Sequence, residues 1–136
     1  MNVLFIEDDI EIINLTKSLL FGHEITPSPT FFNARFCLEI NPGCDTFGAV
    51  IIDLTMPVED LPEDLQELDG LPGFIFYENI LKNYPKLYKN TIFLTGFSNR
   101  LKDQIGEEKY NKLRVVRKRN DDTAKVIRAY LKDMDN

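Results

Sequence analysis

No run of about 18 apolar residues occurs in this chain, so no membrane-spanning helix is expected. The first apolar stretch has no basic leader before it, which argues against a secretory signal. Cysteine is scarce: Cys37 and Cys44 lack metal-ligand spacing and have no cysteine partners elsewhere, so neither a thiolate metal site nor a disulfide framework is expected. A cytoplasmic protein with both thiols reduced fits this usage. Histidine occurs once, as His23 without a partner nearby in sequence, and is assigned a structural or exposed role. The glycines form no phosphate-cradling loop, and low-complexity segments are absent. Excess positive charge is missing too: the net charge of −6 argues against a nucleic-acid surface.

What is present is a pair of apolar runs that end in acids. Val3-Leu-Phe-Ile6 leads into Glu7-Asp8-Asp9, and Ala49-Val-Ile-Ile52 leads into Asp53. Two short aliphatic segments with this ending read as neighbouring parallel strands that deliver carboxylates to one sheet edge, where open α/β sheets bind ligands. Converging acids repel unless a hard cation neutralises them, and oxygen-only ligation suits Mg²⁺. Asp8 or Asp9 can alternatively cap the helix that follows.

Apolar runs alternate with helical patterns along all 136 residues, a length suited to one domain. Strands are predicted over 2–6, weakly near 23–26, then at 48–52, 91–95 and 113–117. The first helix is predicted to carry Ile10, Ile13, Leu15, Leu19 and Leu20, and the second, from about Thr30 to Ile40, to bury Phe31, Phe32, Phe36, Cys37 and Ile40. Pro27-Ser-Pro29 reads as a break, Asn41-Pro-Gly43 as a helix end, and Cys44 as part of a turn-rich stretch. A third helix is predicted over about 73–83, carrying Phe74, Tyr77, Ile80 and Leu81. A short, loosely docked one with Leu101, Ile105 and Tyr110 is predicted within 98–110. The last helix carries Val126, Ile127, Tyr130, Leu131 and Met134. Such alternation implies a parallel sheet with helices on both faces.

The strand ends supply a coherent chemistry. Asp53, the acidic pair, Thr95 at the end of the fourth strand and Lys118 after the fifth would share one edge. Asp53 is already ionised at neutral pH and can act as an oxygen nucleophile toward phosphorus, forming an acyl phosphate. A cation on Asp8 and Asp53 would screen the incoming charge, while Lys118 and Thr95 hold the remaining oxygens.

In Phe5-Ile-Glu-Asp8, Ile52-Asp-Leu-Thr-Met-Pro57, Phe93-Leu-Thr-Gly96 and Val116-Arg-Lys118, taken in order, the chain resembles the receiver domains of bacterial two-component response regulators, close to the stand-alone chemotaxis type. The resemblance implies a flavodoxin-like, doubly wound five-stranded parallel sheet in the order 2-1-3-4-5. It implies that Asp53 is the phosphoacceptor, that Asp8 and the Thr55 main-chain carbonyl ligate Mg²⁺ together with Asp53, and that Glu7 joins the metal through water. Thr95 would be the hydroxyl switch, Lys118 the phosphate partner, and Asp9 the helix cap. The implied partners are a sensor histidine kinase or histidine phosphotransfer protein and an output protein of unknown kind, with no nucleic acid, no membrane insertion and no enzymatic turnover of an external substrate. A stand-alone domain is expected, with no output domain attached.

Several features depart from that family. Arg119 follows Lys118 where the family usually has proline, so a trans bond is expected there. Residues 58–71 form a long loop with six acids and no base, within an insertion at about 58–72; Pro62 would start one helical turn and turn Leu65 and Leu68 inward. Val115 stands where many relatives carry an aromatic side chain, and its stiff χ1 cannot sweep between two positions. Transmission of the phosphorylated state is therefore expected through Thr95, the Gly96-Phe97 loop and segment 98–110, with a partner reading residues near Leu101 and Ile105. Phe97 and Thr55 are expected to screen the acyl phosphate from water. Two other functions compete: a receiver-like binding module that is never phosphorylated, and a metal-dependent phosphatase. The phosphatase class generally places a second acid two residues after its nucleophile, where this chain has Thr55.

Overall fold

The computed structural model describes residues 1–40, 47–96, 98–118 and 122–135. Strands β1 (Asn2–Ile6), β2 (Glu24–Ser28), β3 (Ala49–Asp53), β4 (Thr91–Thr95) and β5 (Arg114–Arg117) form one sheet in the order β2-β1-β3-β4-β5. Every pairing is parallel. The central strands read as continuous apolar runs because both of their faces are covered. Every residue of β3 and β4 is buried.

Alternation along the strands sorts the core into two layers. Leu4, Ile6, Val50, Ile52 and Phe93 face α2 (Phe31–Ile40), α3 (Pro72–Asn79), α4 (Pro85–Lys89) and Leu101 of α5 (Ser98–Ile105). Val3, Phe5, Ile51, Ile92 and Leu94 face α1 (Ile10–Leu19) and α7 (Thr123–Asp135). The order reverses between β1 and β3, so the loops after these two strands open a crevice at the carboxyl edge.

Helix faces differ from the sequence expectation. In α1 the buried stripe is Ile13 and Thr16, continued by Leu20, while Ile10, Leu15 and Leu19 are exposed. In α2 it is Phe31, Ala34 and Leu38, with Cys37 half-buried and Phe32, Phe36 and Ile40 turned outward. Both helices carry more apolar residues than one face can bury, and the smaller Thr16 and Ala34 occupy positions against the sheet. Pro27 does not break the chain. It lies inside β2, tolerated because β2 is an edge strand.

The helix predicted over 73–83 is α3 followed by a 3₁₀ turn, Leu81–Asn83, and Pro85 then starts α4, which the sequence pattern had not separated. Tyr77 of α3 stacks on Tyr88 of α4 at 4.3 Å and meets Phe93 edge-on at 4.9 Å. Segment 98–110 is two helices, α5 and α6 (Glu107–Tyr110), divided at Gly106 with φ of 89°. Its first part is docked more firmly than its charge suggests. Leu101 is buried, and Gln104 Oε1 accepts a hydrogen bond from Leu71 N–H at 3.0 Å. In the acidic segment 58–71 Pro62 precedes a 3₁₀ turn, Glu63–Leu65, and Leu65 points inward as expected, but Leu68 is exposed. The expected helix end at Asn41-Pro-Gly43, the Cys44 turn, the Phe97 shield and the Lys118–Arg119 bond lie outside the described residues.

Candidate functional site

The carboxyl ends of β1, β3 and β5 meet at a cavity of about 660 Å³ lined by Asp8, Asp9, Ile12, Asp53, Thr55, Gly96 and Lys118. Asp53 is the last residue of β3 and 2 % exposed. The chain turns immediately after it, so Thr55 N–H and Thr55 Oγ1 both donate to Asp53 Oδ1, at 3.0 and 3.1 Å. Lys118 Nζ donates to Asp53 Oδ2 at 2.9 Å. The lysine is aimed by its own backbone, since Lys118 N–H donates to Thr95 O at 2.8 Å and so ties the end of β5 to β4. Among the three consecutive cations expected at this edge, Lys118 is the one the structure brings to Asp53; Arg117 is exposed, and Arg119 is outside the described residues.

Glu7 is fully buried beneath this cavity, with Oε1 2.7 Å from Lys118 Nζ. That contact is one of charge. Neither Glu7 oxygen receives a well-directed hydrogen bond among the described residues. Glu7, the exposed Asp8 and Asp53 each place a carboxylate oxygen within 4.8 Å of the others. Three oxygen donors with one buried carboxylate unsatisfied fit a hard divalent cation. Asp9 is set apart from this group: it caps α1, accepting from Glu11 N–H at 3.0 Å and Ile12 N–H at 3.4 Å. Thr95 is 2 % exposed at the end of β4 and does not line the cavity; the adjacent Gly96 does.

The electrostatics separate the two buried acids. Burial pushes the Glu7 carboxyl up to about 8, and the neighbouring Asp53 carboxylate raises it further than Lys118 lowers it. Burial also disfavours ionised Asp53, but hydrogen bonds from Glu7, Thr55 N–H and Lys118 outweigh it and hold Asp53 below its ordinary value. Burial alone would lower Lys118, yet Glu7 and Asp53 keep it above the usual lysine value. Without a cation, burial thus favours the neutral form of Glu7 beside an ionised Asp53.

This arrangement has a consequence for stability. A Glu7 carboxyl raised in the folded state holds a proton that the unfolded chain releases near pH 4.5. Stability then falls as pH rises from there through about 8, by on the order of 2–4 kcal/mol. Asp53 titrates below this window and Lys118 above it. Urea unfolding of the metal-free protein at pH 5 and pH 8 is expected to show the fall, and Glu7→Gln to flatten it. An equal slope in both proteins would exclude the buried neutral acid.

Gly73 also belongs to the site, although nothing in its sequence context marks it. Helix α3 starts so close to the end of β3 that a Cβ at Gly73 would lie 2.7 Å from Leu54 Cα and clash with the Asp53 carbonyl oxygen. Gly73 N–H donates to Leu54 O at 3.1 Å, bracing the backbone that presents Asp53. Gly73→Ala is expected to cost about 2–3 kcal/mol and to displace the Asp53 turn. Thermal unfolding measures the loss, and unchanged stability would show that the strand end yields freely.

No protein-family model matches the chain, and no curated protein does. Solved structures do match. A response regulator receiver domain protein from Clostridium thermocellum is 24 % identical, with 98 % of this chain and 92 % of that one covered and a TM-score of 0.68. The Vibrio cholerae chemotaxis protein CheY4 is 19 % identical over 98 % of this chain and 97 % of its own, also with a TM-score of 0.68. The Mn²⁺-bound form of response regulator Rcp1 is 20 % identical over 94 % and 89 %, with a TM-score of 0.61. The flavodoxin-like fold of these receiver domains is the fold of this chain.

Proposed function

We propose that this protein is a phosphoacceptor of two-component or phosphorelay signalling, with Asp53 as the acceptor. The observation that carries the reading is the setting of Asp53. It is a buried, ionised carboxylate at the switch point of a receiver fold, with Lys118 Nζ at 2.9 Å and two further carboxylates beside it. The donor is a phosphohistidine of a sensor kinase or a phosphotransfer protein.

An Asp53 oxygen attacks phosphorus, the P–N bond to the donor imidazole breaks, and the imidazole leaves with the bonding electron pair and is protonated. The product is an acyl phosphate on Asp53. Asp53 needs no general base, because it carries the charge already. Thr55 fixes the carboxylate rotamer through its two hydrogen bonds. Lys118 stands where the transferred group's negative charge must be met, and Thr95 follows as the hydroxyl that responds to it.

Glu7, Asp8, Asp53 and the Thr55 main-chain carbonyl are the proposed holders of Mg²⁺, with Glu7 acting through water. A bound divalent cation supplies charge neutralisation between the carboxylates and the arriving phosphoryl oxygens. Such a role is non-enzymatic toward external substrates and suits a cytoplasmic protein; no helix among the described residues is long and apolar enough to cross a membrane. The insertion at 58–72 belongs to the same domain in this reading.

Intact-mass measurement after incubation with acetyl phosphate and Mg²⁺ tests the reading. One phosphoryl adduct, absent when the cation is chelated, is expected. No adduct under either condition would favour a binding module that works without phosphorylation, and sustained release of phosphate would favour a phosphatase.

A further inference from the structure

The outward face of α2 carries an apolar stripe that the core does not use. Phe32, Phe36 and Ile40 recur at intervals of four and are 76 %, 53 % and 56 % exposed. Beside them the acidic insertion rises as a wall, and between the two lies a groove of about 700 Å³. Phe32 and Phe36 line one side, and Glu59, Asp60 and Glu63 the other.

The wall is built into the fold. Leu61 and Leu65 are buried in the core, and Gln66 Nε2 donates to Glu59 O at 3.2 Å and to Leu61 O at 2.8 Å. Its charge is concentrated as well. The six acids of residues 58–71, with no base among them, equal the entire net charge of −6, so the other acids and bases of the chain balance. Arg35, which also lines the groove, is occupied by Glu39 at 3.0 Å and offers a ligand little free positive charge.

An exposed aromatic stripe bordered by carboxylates of one sign favours a particular occupant. We infer that this groove docks a basic amphipathic helix of a partner protein, whose aliphatic stripe covers Phe32, Phe36 and Ile40 while its flanking lysines or arginines face Glu59, Asp60 and Glu63. An anionic membrane or nucleic acid would meet the acidic wall with repulsion. A second copy of the chain would bring the same acidic wall with it. Docking at this face requires no phosphoryl group on Asp53, so it stands or falls separately from the phosphoacceptor reading.

The test uses the full chain and a synthetic peptide of about 15 residues, with leucines along one stripe and lysines on both flanks. Backbone amide shifts on titration are expected to change in α2 and in residues 58–66. Phe36→Ser and the triple replacement Glu59→Gln, Asp60→Asn, Glu63→Gln should each weaken binding about tenfold. Raising salt should weaken it too, and a matched peptide with glutamate flanks should not bind. Phe36 is half exposed, Glu59 and Glu63 are exposed and Asp60 is half-buried, so two independent variants guard against loss of folding; a cooperative thermal transition in both checks the fold. Shift changes centred elsewhere, equal binding of the glutamate-flanked peptide, or affinity indifferent to both variants would overturn the assignment. So would a concentration-dependent dimer of the chain alone that Phe36→Ser dissolves, since the groove would then be a self-association face.

Discussion

Asp53→Asn should yield no phosphoryl adduct with acetyl phosphate and Mg²⁺, while remaining folded with a melting temperature at or above that of the parent. The amide keeps the size of the carboxylate but lacks the charged nucleophilic oxygen, so the covalent step is removed outright. Folding should survive because the substitution removes one of the two buried acids, and Lys118 keeps Glu7 as its partner at 2.7 Å. Losing the charge at position 53 also removes one of the influences that raise Glu7, so the remaining pair is easier to ionise. Intact mass and thermal melting decide both halves. An adduct of undiminished yield would move the acceptor to another acid. Asp8 is the first to examine, since it is exposed and lines the same cavity.

Lys118→Met should have the largest effect on stability, about 3–5 kcal/mol, because it leaves the buried, ionised Asp53 without its counter-charge and takes the cation away from Glu7 beside it. Phosphoryl uptake should slow by about 10²-fold, the scale seen when a positioned donor to developing charge is removed. The loss in stability should be smaller at pH 5 than at pH 8. At pH 5 Glu7 is neutral with or without Lys118, whereas at pH 8 the parent's Glu7 is partly ionised against Lys118 and the variant's, lacking that cation, must hold its proton against the unfolded chain. Adding Glu7→Gln should recover part of the loss at pH 8, giving a coupling of about 2 kcal/mol in a double-mutant cycle. Urea unfolding of the four proteins at both pH values measures this. Additive effects, or a Lys118→Met protein as stable as the parent, would show that the ammonium is not what holds the two acids together.

The strands and their acidic endings were legible in the sequence because each is a local pattern. An apolar run such as Ala49 to Ile52 is buried on both faces whatever its neighbours are, and the carboxylate that ends it must emerge at the sheet edge. The cap on α1 was legible for a similar reason, since Asp9 reaches amides only two and three residues away. Buried helix faces were read less well. Helix α2 offers apolar side chains around most of its circumference, and only the sheet it packs on selects Phe31, Ala34 and Leu38 and leaves Phe32, Phe36 and Ile40 outside.

The setting of Glu7 also belongs to the tertiary structure. As a sequence feature it is one of three consecutive acids, but its burial and its contact with Lys118 arise only in the folded sheet, where the Lys118 side chain after β5 reaches past β4 and β3 to the end of β1. Gly73 is likewise silent in sequence and becomes necessary only where α3 meets the backbone at Asp53 and Leu54. Backbone pattern and helix capping are set by residues a few positions apart. The buried face of a helix, the partner of a buried charge and the space left for a side chain are set by residues far away in the chain, and no local spacing encodes them.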